Sequence, residues 1–103
     1  MILINTEEIP GKPIQEMYGL VSGSTIRAKH AGRDFMAGLK NFVGGELKGY
    51  TELMEESRAE ALERIISSAR EMGANAIVNI RFSTSSIAGG AAEIYIYGTA
   101  VRV

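Results

Sequence analysis

The apolar positions of this chain change period along its length, and the longest ordered stretch runs from Tyr50 to Phe82. Leu62, Ile65, Ala69 and Met72 recur at spacings of three and four, with Ile66 beside them. That spacing predicts an apolar stripe along a helix of about six turns. Glu60, Glu63, Arg64, Ser67, Arg70 and Glu71 fall mostly away from the stripe, and Glu60–Arg64 forms an i,i+4 ion pair. Thr51 is the expected N-cap, and Gly73 the residue that ends the helix in a left-handed conformation. Beyond it the period becomes two. Ala76, Val78, Ile80 and Phe82 are expected on one side of a strand, with Ile77, Asn79, Arg81 and Ser83 on the other. The stretch therefore reads as a long helix packed on a sheet.

The remaining segments complete that sheet. Ile2–Asn5 is a short apolar run suited to an edge strand, followed by turn chemistry at Pro10, Gly11 and Pro13. Met17–Arg27 reads as a strand in which Tyr18, Leu20, Ser22, Ser24 and Ile26 share one parity. Gly19 and Gly23 share the other, where two explanations compete: a bulge or bend, or close approach of a helix or a second subunit. A shorter helix is expected from Asp34 to Val43, with Gly44–Gly45 as its stop, and Ser83–Gly90 is expected to be a loop. In the last strand Ile94, Ile96, Gly98 and Ala100 oppose Tyr95, Tyr97, Thr99, Val101 and Val103. Both faces are rich in apolar or aromatic groups, so the second needs either helical cover or another subunit.

Composition narrows the chemistry. Eleven basic and twelve acidic side chains leave a net charge of −1, which gives no bulk attraction to nucleic acid or an anionic membrane. There is no cysteine, hence no disulfide, no thiolate nucleophile and no thiolate metal site. The chain opens without a basic segment leading into a long apolar run, and no apolar stretch approaches about 18 residues. A cytoplasmic protein of one domain, 1–103, is the default expectation.

Candidate sites are few. FVGGELKG and SSIAGGAA lack the spacing and the lysine of a phosphate-binding loop, and no cofactor is expected. His30 is the sole histidine, and Asp34 follows it by four residues; with Glu46 these are the weak candidates for a metal site. Glu46 and Glu93 could act as general bases only if burial or neighbours tuned them. Ser57, Ser67 and Ser68 have no nearby histidine, so no hydrolytic triad is expected and no residue is assigned as catalytic. Tyr95 and Tyr97, with Val101 and Val103, are expected to form an interface instead.

Four stretches, GLVSGSTIR (Gly19–Arg27), RDFMAGLKNFVGGELKGYTELMEESRAEAL (Arg33–Leu62), GANAIVNIRF (Gly73–Phe82) and YGTAVRV (Tyr97–Val103), resemble the YbjQ-like family of small prokaryotic proteins. The resemblance spans nearly the whole chain in order. It implies an α+β fold, a two-layer domain with an antiparallel sheet and one long helix, similar to the dodecin subunit. It also implies a homo-oligomeric ring, commonly a pentamer. The positions that match the family motif are Asp34, Gly44, Gly45, Glu46, Tyr50 and Gly73. The family is described as heavy-metal binding, yet soft metals prefer thiolates or several imidazoles, which this inventory lacks. Three functions are therefore weighed: an oligomeric binding or scaffold protein that holds a small ligand between subunits, a metal-binding protein, and an enzyme using carboxylates.

Overall fold

In a computed structural model, which describes residues 1–28, 48–87 and 91–103, one long helix lies on a four-stranded sheet. The elements are β1 (Ile2–Leu3), β2 (Glu16–Ala28), α1 (Lys48–Met72), β3 (Ala76–Ile87) and β4 (Ala91–Arg102). The strand order is β1-β3-β4-β2. The three long strands are antiparallel, as expected; β1 alone runs parallel, beside β3. The fold is thus α+β in two layers, with a mixed sheet. The expected helix from Asp34 to Val43 lies outside the described residues.

Helix α1 starts at Lys48, so Thr51 belongs to its first turn instead of capping it. Its end is as expected. Gly73 has φ +93°, its N–H donates to the Arg70 carbonyl, and the Ala74 N–H donates to that of Ala69, which together make a Schellman cap. The buried stripe consists of Ser57, Ala61, Ile65 and Ala69, flanked by half-buried Met54, Leu62 and Ile66. Met72, expected in this stripe, is instead exposed. The stripe is centred on small residues because the helix lies very close to β2. An ideal Cβ on Gly23 would sit 2.9 Å from the Ala61 carbonyl oxygen and 2.9 Å from the Ile65 nitrogen. Ser57 is buried without loss: its hydroxyl donates to the Leu53 carbonyl, and its own carbonyl accepts from Thr25 Oγ1.

Two bulges set which side chains face the helix. In β2 Tyr18 and Gly19 together stand opposite Ala100, and Gly19 has φ +110°. The two glycines that look equivalent in the sequence therefore differ: Gly19 makes a bulge, while Gly23 admits the helix. In β3 Asn79, with φ +57°, and Ile80 stand opposite Gly98. The expected alternation of Ala76, Val78, Ile80 and Phe82 is broken there. Ile77 and Ile80 join the core under α1, whereas Ala76 and Val78 pack on the other side of the sheet. Ser83–Ile87, expected as loop, continues β3 and pairs with Ala91–Tyr95. Pairing along a long hairpin satisfies the backbone, which outweighs the polar composition of these residues.

The second face of the sheet has two parts. At its lower end Ile2, Ile4 and Ile9 cover Ala76, Val78 and Val101. That segment is tied down by backbone bonds from Asn79 N to Thr6 O (2.8 Å) and from Ile80 N to Ile4 O (3.2 Å). The β3 bulge turns these amides outward to meet it. The upper end has no such cover among the described residues.

Candidate functional site

The upper, open part of the sheet is a surface of three strands whose composition follows from register. Pairing places Leu20 beside Thr99, Ser22 beside Tyr97 and Arg81, Ser24 beside Tyr95 and Ser83, and Ile26 beside Glu93 and Ser85. These side chains alternate with Val21, Gly23, Ile94 and Ile96, which face the helix, so they project from the opposite side. Leu20 is 73% exposed and Ile26 is 63% exposed. Met17, one bulge further down the same strand, is 71% exposed. Tyr95 and Tyr97 stand at the centre of the surface, half-buried, with ring centroids 5.5 Å apart in a stacked arrangement. The Arg81 guanidinium does not reach across them: its Nη1 donates to the carbonyls of Asn5 and Ile80.

Both outer edges of the sheet border this surface. Among the described residues β2 is an edge strand, and no described strand or segment pairs with β3 beyond Ile80 on its outer side. The surface thus sets the apolar side chains of Leu20 and Ile26 and the rings of Tyr95 and Tyr97 among hydroxyl groups, between two sheet edges that are unpaired among the described residues.

The strongest electrostatic cluster lies on the other side, where β2 meets α1. Arg27 donates to Glu56 and to Glu60, and Arg64 also pairs with Glu60. The hydrogen bond from Arg27 is the main cause holding the Glu60 carboxyl below its ordinary range. A carboxylate kept ionised and saturated by two guanidinium groups cannot serve as a general acid. Its effect is to join strand and helix across the sheet edge. At the helix C-terminus, Arg102 Nη2 donates to the Gly73 carbonyl, placing a cation where the helix dipole favours one.

The expected site residues divide sharply. Tyr95 and Tyr97 come together on the open face, with Glu93 in the next row. Val101, expected at the interface, is 1% exposed and belongs to the chain's own core, with half-buried Val103 packed beside it. Gly73 is the helix cap. His30, Asp34, Gly44, Gly45 and Glu46 lie outside the described residues, as does the side chain of Tyr50. Among the described residues no three His, Asp or Glu side chains gather to hold a metal ion. A recess of about 470 Å³ is open and lined by one loop from Glu8 to Ile14. Sequence reasoning missed Met17, Leu20 and Ile26 as site residues. Parity in β2 groups Leu20 with Ile26 but sets Met17 on the other face, and only the bulge at Tyr18–Gly19 brings it to the same side; nothing in that pattern said which face the helix leaves bare.

The chain belongs to the YbjQ family, whose model, described as "Putative heavy-metal-binding", matches residues 1–103. It is 64% identical to a UPF0145 protein of Hahella chejuensis, over 98% of this chain and 97% of that one. A UPF0145 protein of Acinetobacter baylyi is 62% identical over 92% of this chain and 88% of its own length. One from the archaeon Archaeoglobus fulgidus is 52% identical over 100% and 95% respectively. Among solved structures, a protein of unknown function from Pediococcus pentosaceus, of the DUF74 family, superposes with a TM-score of 0.69. The match covers 100% of this chain and 97% of that one at 13% identity, so it shows the shared fold and nothing further. No described helix is long and apolar enough to cross a membrane.

Proposed function

We propose that this member of the YbjQ family is a subunit of a closed homo-oligomer, a binding or scaffold protein that holds a small ligand between copies of itself. The observation that carries the reading is the open sheet face. Met17, Leu20 and Ile26 are all more than 60% exposed, on the side of the sheet that bears the stacked Tyr95–Tyr97 pair. A second copy laid on this surface removes apolar side chains and ring faces from water. The flanking Ser22, Ser24 and Ser83 hydroxyls offer hydrogen bonds around a ligand's rim. The reading includes a pentameric ring, the stoichiometry that the family resemblance implies. It also carries a one-domain cytoplasmic chain with no nucleic-acid or membrane partner.

Light scattering coupled to size exclusion tests this. The expected mass for the wild type is about five times the 11.1 kDa chain and falls on dilution only when the ring dissociates. Tyr97→Asp places a charge at the centre of the contact and is expected to shift the folded protein to smaller species. A wild-type mass of one chain at every concentration would refute the reading. An unchanged ring in a folded Tyr97→Asp variant would remove the tyrosine face from it.

The family's description makes metal binding the competing reading, with His30, Asp34 and Glu46 as its candidate ligands. One histidine and no cysteine cannot complete a conventional four-ligand soft site in one subunit. Calorimetric titration with zinc and copper is therefore expected to show no submicromolar binding. Tight binding that vanishes in His30→Ala would reverse this conclusion and point to histidines meeting across subunits.

A further inference from the structure

We draw no further inference here: the strongest candidate, the open sheet face that carries Leu20, Ile26 and the stacked Tyr95–Tyr97 pair, belongs to the site already described, and nothing in the structure shows what covers it.

Discussion

Truncating Ile65 to alanine lowers the stability of the folded chain by about 2–4 kcal/mol. Ile65 is fully buried at the centre of the α1 stripe, between Ala61 and Ala69, in the core that includes Val21, Ile77, Ile94 and Ile96. Its truncation removes three carbons from that core. The helix cannot settle inward to fill the space, because the Gly23 backbone already lies against the Ala61 carbonyl and the Ile65 amide. The loss therefore includes a cavity term in addition to the transfer free energy of the missing atoms. Chemical unfolding at one fixed protein concentration measures it, with exposed Glu63→Ala as the comparison. Equal losses for the two variants would mean that α1 does not pack through this face.

The second large effect comes from adding one carbon. Gly23→Ala places a methyl group 2.9 Å from two backbone atoms of α1 and 3.2 Å from the Arg64 Cβ. No rotamer change relieves this contact, since the nearest atoms are main chain. The helix must lift from β2, opening the core below it and weakening the link from Thr25 Oγ1 to the Ser57 carbonyl. A cost of about 1–3 kcal/mol is typical of overpacking, and a site clamped by backbone belongs at the upper end. Ser22→Ala, one residue away on the open face, is the control and should change stability by about 0.5 kcal/mol or less. If Gly23→Ala unfolds at the same denaturant concentration as Ser22→Ala, the close helix–strand approach is wrong.

These two residues show how differently the sequence speaks about its core. Ile65 is legible from spacing alone, because a helix repeats every 3.6 residues and the stripe needs no knowledge of its partner. Gly23 was legible only as a question. Absence of a side chain is compatible with a bulge and with close packing, and β2 contains one of each four residues apart. The difference depends on where α1 crosses, which is a tertiary fact. Ala61 and Ser57 escaped for the same reason: small or polar residues do not announce a buried face unless the opposing surface is known to be a glycine.

The sequence by itself determined the long helix, its glycine stop, the strand that follows and the alternation of the last strand, since each depends on local periodicity and backbone preference. It also determined the absence of thiolate chemistry, which is a matter of inventory. Only the tertiary structure decided which face of the sheet is covered. The bulge at Asn79–Ile80 reverses the parity of β3, and the N-terminal segment it receives buries Val101 while leaving Tyr95 and Tyr97 in the open. A one-residue change of register moves every later side chain to the opposite face, and no pattern within one strand can reveal that shift. Among the described residues, the open face and the two unpaired sheet edges arise in the same way, from where a helix and a short segment stop covering the sheet.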